Sequence, residues 1–361
     1  MKIPTEPIGS IPRPLELIEA IQANAAGNLA AEALNAHFDR AVQDTIRRFE
    51  ATGSPVITDG EQSKPSFATY PVSGLQQLDP DGVVVPYADG HNRQLPKLTG
   101  GPFRYQLKAV DFYKQAVKYA RAPVKQAVIS ASALSLMYPP EGIPGYSREA
   151  FVADLLNEHE ADIRSCLEAG AHHVQIDFTE ARLSLKLDPS KGLLRSFIAL
   201  NNQALERFSE SARRRLGVHT CPGGDHDSTH SADVDYAELL PLLFDLKVKN
   251  FYLQYASEKH KRHVLQNIKK SVKPGQRVFI GVTDVLSPRV ETPEEIRDLI
   301  LEAAEYIAPA HLGTTDDCGF SPFADDTSTS RDIAFAKITA RLEGTKLAEK
   351  ALAGKKSVVE E

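Results

Sequence analysis

The chain has 361 residues, of which 42% are apolar and 25% charged, values that fit one large α/β domain or two ordinary globular ones. A net charge of −6 gives no basic field for nucleic acid, and no apolar run approaches the roughly 18 residues of a membrane span. Three cysteines in a chain of this length do not form a disulfide framework, and the first residues lack the apolar stretch of a signal peptide. We therefore expect a cytoplasmic protein. A homo-oligomer is possible.

Short apolar runs alternate with helical patterns, which favours parallel strands joined by helices. Counting a first strand at residues 7–10, eight runs qualify, the others being 56–58, 127–129, 173–176, 216–218, 251–253, 278–280 and 311–313. They predict a (βα)8 TIM barrel as a single catalytic domain over residues 1–350. The interval 71–125 is rich in Pro, Gly and Tyr and predicts an excursion or hairpin between strands 2 and 3. Residues 351–361 predict a solvated tail.

Two helices carry clear boundary signals. Thr292, Pro293 and Glu295 form a capping pattern ahead of an apolar stripe. A second helix is predicted from about Ser147 to Gly170, where glycine is a typical C-cap. Cys166 lies near the apolar stripe of this helix and is predicted to be a buried structural thiol.

The stretch 219–224, His-Thr-Cys-Pro-Gly-Gly, places His219 two residues before Cys221, and Cys318 lies in a second polar turn. Imidazole and thiolates are preferred zinc ligands, and catalytic sites often hold three protein ligands with one open position. These residues therefore predict a zinc site; the alternative is two unrelated thiols beside a histidine. The acidic and histidine residues that follow Gly224 are predicted either to orient His219 or to cap a helix. For Asp227 and His230, capping and exposure to solvent are favoured.

Polar residues follow each predicted strand, where the active sites of (βα)8 barrels lie. They are Ser10, Asp59 to Glu61, Asp177 to Glu180, His219 to Cys221, Gln254, Asp284 and Asp316 to Cys318. One polar cluster after each run predicts an active site at this rim.

The order of these motifs resembles the catalytic C-terminal half of the cobalamin-independent methionine synthases. The similar segments are Ile8-Gly9-Ser10, Asp59-Gly60-Glu61, Gln175-Ile176-Asp177, His219-x-Cys221, Ser287-Pro288-Arg289 and Asp317-Cys318-Gly319. Each tripeptide alone is weak, but the ordered set spans residues 8 to about 345. Members of that family are (βα)8 barrels, and the broader group includes zinc-dependent epoxyalkane:coenzyme M transferases.

The resemblance assigns roles residue by residue. It implies zinc ligation by His219, Cys221 and Cys318, binding of the carboxylate of homocysteine by Ile8, Gly9 and Ser10, and binding of its amino group by Glu61 and Asp177. Elementary chemistry agrees, because two carboxylates suit an ammonium group and a glycine lets backbone N–H groups approach an anion.

Two positions depart from the family pattern. Gln254 stands where the family has a glutamate as fourth zinc ligand, so we expect Gln254, Glu258 or water to complete the shell, with Glu258 favoured as a surface helix residue. Leu286 stands where the family has a histidine that protonates the departing folate nitrogen. Leucine cannot transfer a proton, which leaves Asp284 as a substitute catalytic acid and makes methyltetrahydrofolate a doubtful donor.

The expected function is a zinc-dependent thiol methyl- or alkyltransferase with small-molecule substrates, in which a zinc-bound thiolate of homocysteine or a similar aminothiol is the nucleophile. One alternative is the same chemistry on a non-folate substrate, such as an epoxide or a C–S bond. Another is a metal-free barrel without thiol transfer, comparable to the porphyrinogen decarboxylases.

Overall fold

The computed structural model describes residues 2–357, and a parallel barrel forms its centre. The strands are β1 Leu78–Pro86, β2 Asn92–Leu98, β3 Gln126–Ile129, β4 Val174–Asp177, β5 Leu216–Thr220, β6 Gly224–Asp225, β7 Ser228–Thr229, β8 Asn250–Leu253, β9 Arg277–Gly281 and β10 Leu312–Thr315. Six of them pair side by side in the order β10, β9, β8, β5, β4, β3. All of these pairings are parallel, so the carboxyl ends of the six strands meet at one rim.

Two short extended segments complete the barrel. Thr5 forms a parallel bridge with Thr314 of β10, and Ile57 forms one with Val124, just before β3. The strand predicted at residues 7–10 is therefore displaced, because its bridge lies at Thr5 and residues 7–10 form the loop that follows. Proline at positions 4 and 7 cannot donate to a ladder, which limits this first segment to a single bridge.

Helices alternate with the strands and cover the outside of the barrel, as the (βα)8 prediction requires. They are α1 Leu15–Ala25, α2 Ala31–Ala51, α3 Ala109–Val117, α4 Ala131–Ser135, α5 Arg148–Ala169, α6 Glu180–Leu187, α7 Gly192–Leu205, α8 Glu210–Arg213, α9 Leu240–Leu243, α10 Lys261–Ser271, α11 Pro293–Ala304 and α12 Arg331–Ser357. Within the described residues, none is both long and apolar enough to cross a membrane.

The predicted helix boundaries are confirmed. Ser147 accepts a hydrogen bond from the Ala150 N–H at the start of α5, and Gly170 ends the helix in the left-handed conformation. Thr292 forms the predicted capping box with Glu295 at the start of α11. Cys166 is fully buried in the core, as predicted. Helix α12 continues to Ser357, into the segment predicted as a solvated tail, and residues 358–361 lie outside the described part of the chain.

The predicted excursion between the second and third barrel strands contains the antiparallel hairpin β1–β2. The turn of this hairpin is hydrogen-bonded to the short hairpin β6–β7, which follows the segment from His219 to Cys221. The carboxylate of Asp225 accepts hydrogen bonds from His91 Nε2 at 3.0 Å and from Arg93 Nε at 2.5 Å. The Ala88 N–H also donates to the carbonyl of Thr229 at 2.9 Å. The hairpin therefore lies against the rim at which the strands end.

A fully buried ion pair joins α12 to the end of β10. Arg341 Nη1 donates to Asp316, whose other carboxylate oxygen accepts from the Thr283 hydroxyl at 2.8 Å. We expect Arg341→Met to lower the free energy of unfolding by about 3–5 kcal/mol, because it leaves Asp316 charged and unpaired in the interior. Urea denaturation measures this loss.

The matched control is Arg47→Met, which breaks an exposed pair with Asp44 and is expected to cost no more than about 1 kcal/mol. Equal losses for the two variants would show that the buried pair has no special weight.

Candidate metal and substrate site

A cavity with about 420 Å³ of empty space, partly open to solvent, lies at the carboxyl ends of the strands. It collects most of the residues singled out by the sequence, namely Ile8, Gly9, Ser10, Glu61, Asp177, His219 and Cys318. These residues come from segments up to 310 positions apart in the sequence. The sequence gives only the order of these motifs, and the barrel places them side by side.

Three candidate zinc ligands converge at this cavity. One ligand atom each of His219, Cys221 and Cys318 lies within 4.8 Å of the others, and all three residues are buried. The two sulfur atoms are 2.8 Å apart, and both cysteines are free thiols. His219 Nδ1 lies 3.2 Å from the carbonyl oxygen of Tyr252, while Nε2 is buried and has no hydrogen-bond partner in the described structure. A buried, unpartnered ring nitrogen beside two thiols fits a thiophilic metal.

The protonation states of the two thiols differ. The hydrogen bond from Cys221 holds the pKa of the Cys318 thiol well below its usual range, and the nearby His219 lowers it further despite burial. Burial instead raises the pKa of Cys221, and the partner sulfur raises it further. Cys318 is thus the more acidic of the two thiols, and thiolates are the form that binds metal.

Gln254 follows β8, and a hydrogen bond fixes the orientation of its carboxamide. Its Nε2 donates to the Ser257 hydroxyl at 2.6 Å, while its Oε1 is buried without a partner in the described residues. Asp317 fastens this loop beside the cysteine, because its carboxylate accepts from the N–H groups of Tyr255 and Ala256 at 2.8 Å. The amide oxygen of Gln254 is therefore left without a hydrogen-bond partner in the described residues, and its role as a fourth ligand stays a prediction.

Glu258 is not the surface helix residue that the sequence predicted. It is buried, precedes α10, and accepts a hydrogen bond from Arg182 Nη1 at 2.6 Å. The prediction was wrong because Arg182 comes from α6, 76 residues away, and this pairing cannot be read from local sequence. An ion-paired carboxylate is a poor candidate for the open ligand position.

One of the predicted ammonium-binding carboxylates is paired with a buried cation that the sequence did not indicate. Lys64 Nζ lies 3.0 Å from Glu61 Oε1, and both side chains are buried. Asp177 accepts from Gln175 Nε2 at 2.8 Å. Burial raises the pKa of Asp177 to about 6, and the charge of Glu61 adds to the rise. Glu61 and Asp177 line the cavity, whereas no lysine or arginine is among its lining residues, so the cavity wall carries negative charge that suits an incoming ammonium group.

The loop at residues 8–10 is held from both sides. The carbonyl of Gly9 accepts from the Thr58 hydroxyl at 2.8 Å, and Ser10 Oγ accepts from the Ser321 N–H at 3.1 Å. The carbonyl of Ser10 also accepts from the Phe320 N–H at 3.0 Å. The loop is therefore tied to the segment that carries Cys318, which fixes it relative to the metal ligands.

Asp284 is not among the residues that line this cavity. Its carboxylate accepts from the Leu286 N–H at 3.1 Å, and its own N–H donates to Glu291 at 2.8 Å, so it stabilises its own loop. It lines a separate surface depression with Ser287 and Arg289. Leu286, in contrast, lies beside the cavity: a Cβ built on Gly224 would be 3.6 Å from its Cδ2.

Several residues that line the cavity come from outside the predicted motifs. Tyr87 comes from the hairpin, Phe67 from the segment before it, and His230 from the loop after β7. The prediction of a solvated His230 was wrong: it is buried, and a Cβ at Gly223 would lie 1.8 Å from its Nε2. Asp225 does not orient His219 either, because it binds the hairpin through His91 and Arg93.

The sequence and structure were compared with known proteins. A family model described as the catalytic domain of cobalamin-independent synthase matches residues 3–334. A methionine synthase of Sulfurisphaera tokodaii is 24% identical over 354 residues, covering 98% of this chain and 94% of that protein. A methionine synthase of Saccharolobus solfataricus is 24% identical over 351 residues, covering 97% of this chain and 96% of that protein.

Among solved structures, a B12-independent methionine synthase from Shewanella, in complex with selenomethionine, superposes with a TM-score of 0.77 at 21% identity. The match covers 98% of this chain and all of that one. At this level of identity the likeness establishes the fold, and it confirms the predicted TIM barrel.

Proposed function

Because this chain belongs to the cobalamin-independent synthase family, catalytic-domain type, and is a methionine synthase-like transferase, we propose that it is a zinc-dependent thiol alkyltransferase. Its substrates are small molecules: an acceptor that is homocysteine or a close aminothiol, and an alkyl donor. The observation that carries the proposal is one cavity lined by His219 and Cys318 on one side and by Glu61 and Asp177 on another. A soft metal site and an ammonium site share that space.

The residues that would hold zinc are His219 through its unpartnered Nε2, Cys221 and Cys318, with Gln254 Oε1 as the fourth protein donor. Bound zinc would supply Lewis acidity, which lets a coordinated thiol react as its thiolate at neutral pH. The chain's own residues then decide which thiol enters and how it is oriented.

The acceptor is positioned by its amino-acid end. Glu61 and Asp177 would bind the ammonium group, with Lys64 holding Glu61 in place at 3.0 Å. The loop at residues 8–10 would bind the carboxylate, because Gly9 allows close approach of the backbone. Fixing both ends of a short aminothiol directs its sulfur toward His219 and Cys318, which removes most of the orientational entropy from the reaction.

Asp177→Asn and Glu61→Gln are therefore expected to weaken homocysteine binding while zinc content stays unchanged. Each variant removes a charged contact to ammonium, which corresponds to a loss of about 1.5–3 kcal/mol. Calorimetric titration of homocysteine into the zinc-loaded protein measures the affinity, and metal analysis of the same samples checks the zinc.

Glu206→Gln is the matched control, because Glu206 is exposed on the outside of the barrel. Its affinity is expected to equal that of the parent protein. If both cavity variants bind homocysteine as tightly as the parent, the acceptor is not an amino acid and this assignment fails.

The donor is the point at which the proposal departs from ordinary methionine synthesis. Leu286, whose side chain cannot transfer a proton, lies beside Gly224 at the cavity. Asp284 lies outside the cavity. These two observations favour a second candidate within the same chemistry, alkyl transfer to the thiol from a donor other than methylated folate. Comparing turnover with methyltetrahydrofolate and with other alkyl donors separates the two candidates.

A further inference from the structure

A second, more apolar cavity lies directly beside the metal and substrate site, between the hairpin and the barrel. We call it the side chamber. It has about 640 Å³ of empty space, part of which is open to solvent, and its walls include Val85, Leu95, Ile129, Leu136 and Leu183. It shares Phe67, Tyr87, Thr179 and His230 with the first cavity, so the two are neighbours. A molecule in the side chamber therefore lies next to the residues that line the metal and substrate site.

One carboxyl group interrupts the apolar wall of the side chamber. Glu180, the first residue of α6, is only 6% exposed. Its Oε1 accepts hydrogen bonds from the hydroxyls of Ser130, at 2.5 Å, and Ser132. Asn201 Nδ2 in turn donates to Ser132 Oγ at 2.8 Å, which fixes this arrangement. Glu180 Oε2 is buried and has no partner in the described structure.

The two oxygens of Glu180 are therefore unequal. Burial raises its pKa by more than the hydroxyls of Ser130 and Ser132 lower it. No lysine or arginine pairs with Glu180 in the described residues, whereas the buried Glu61 has Lys64 and the buried Glu258 has Arg182. Burial raises the pKa of Glu180 to about 7, and the charge of Asp177 adds to the rise. The two serine hydroxyls occupy one oxygen, which leaves the other to carry the proton.

We propose that the side chamber binds the alkyl donor and that Glu180 is the catalytic acid that protonates the donor's leaving atom. This inference rests on the proposed thiol transfer. The walls point to a largely apolar carrier with a basic nitrogen next to the transferred carbon. Arg93 at the chamber is already bound to Asp225 and Asp325, so it does not select for an anionic donor.

The proposed step balances in atoms and charge. The acceptor sulfur forms a bond to the donor's alkyl carbon, and the carbon–nitrogen bond breaks with its electron pair going to nitrogen. The carboxyl O–H of Glu180 gives its proton to that nitrogen and becomes a carboxylate. Solvent returns a proton to Glu180, equal to the one lost from the acceptor thiol. A neutral amine thereby leaves in place of a high-energy amide anion.

The test uses isoquinoline, an apolar aromatic base whose near-ultraviolet spectrum differs between its neutral and protonated forms. The chain contains no tryptophan, which simplifies detection of the probe. We expect the parent protein to bind isoquinoline at neutral pH and to shift its spectrum toward the protonated or strongly hydrogen-bonded form. Glu180→Gln is expected to bind the probe with the spectrum of the neutral base, because an amide keeps the shape of the side chain but gives up no proton.

Ala133→Phe, which fills the side chamber, is expected to weaken binding by about tenfold or more. Glu210→Gln, on the exposed helix α8, is the matched control and is expected to behave as the parent. Thermal melts verify that each variant is folded.

Each outcome is decisive. Absence of binding to the parent, or unchanged binding to Ala133→Phe, would overturn the side chamber as the site of an apolar base. An identical bound spectrum in Glu180→Gln would overturn the acid role. None of these measurements uses thiol or zinc, so their failure is distinguishable from a failure of homocysteine binding, which tests the proposed function itself.

Discussion

Replacing either Cys221 or Cys318 by serine is expected to lower bound zinc from about one per chain to near zero and to abolish thiol alkylation. A serine hydroxyl stays protonated at neutral pH and is a poor zinc ligand, whereas the hydrogen bond from Cys221 lowers the pKa of the Cys318 thiol. With only His219 and one sulfur left, the site loses one of its three strongest donors. Elemental analysis after gel filtration measures the metal.

Cys166→Ser provides the matched control. This third cysteine is buried in α5 and is not in the cluster of candidate ligands, so its loss is expected to leave zinc content unchanged. Full zinc in both the Cys221 and the Cys318 variants would contradict the assignment of the site, and absence of zinc from the parent protein would favour a metal-free barrel.

The second large effect concerns the donor. We expect methyl transfer from methyltetrahydrofolate to be absent or slower by roughly 10²–10⁴-fold than in an enzyme with a well-placed acid. Leu286 cannot protonate the departing nitrogen, and the largely apolar side chamber that holds Glu180 does not suit a polar pterin. Leu286→His places a titratable ring beside Gly224 at the cavity, and it is expected to raise the folate-dependent rate if the pterin enters. Steady-state production of methionine from homocysteine measures the rate.

Leu286→Asn is the control for this experiment, because it introduces a polar group of similar position that does not titrate near neutral pH. Only the histidine variant is expected to gain activity. Robust folate-dependent turnover by the parent, unchanged or lowered in Leu286→His, would show that the position carries no catalytic weight. Ordinary methionine synthesis would then be the better description.

Much of the site could be predicted from sequence because of one property of parallel barrels. Residues that directly follow a strand lie at the same rim, so ordered motifs at strand ends predict neighbours in space. His219, Cys221 and Cys318 converge for this reason. Glu61 and Asp177 line the same cavity for the same reason, although their function remains a prediction.

The residues that were missed depend on loops and long-range pairing. Lys64 pairs with Glu61 in a loop where Glu61 adopts a positive φ of 56°. Non-glycine residues rarely adopt this conformation, so it could not be predicted from the sequence. His230 is buried because the hairpin covers its loop, 140 residues from Gly90 in the sequence. Glu180 was predicted to lie at the active-site rim, but the side chamber that it lines forms between the hairpin and the segments of α4 and α6, which its neighbours in sequence do not indicate.

The most direct test of the account is X-ray absorption at the zinc edge, with and without homocysteine. The zinc-loaded protein is expected to show two sulfur ligands at roughly 2.3 Å, from Cys221 and Cys318, with nitrogen or oxygen completing the shell. Homocysteine is expected to raise the sulfur count to three, and Asp177→Asn is expected to require more homocysteine for the same change. A zinc environment that stays the same at saturating homocysteine would contradict the claim that the acceptor thiol is activated at this metal.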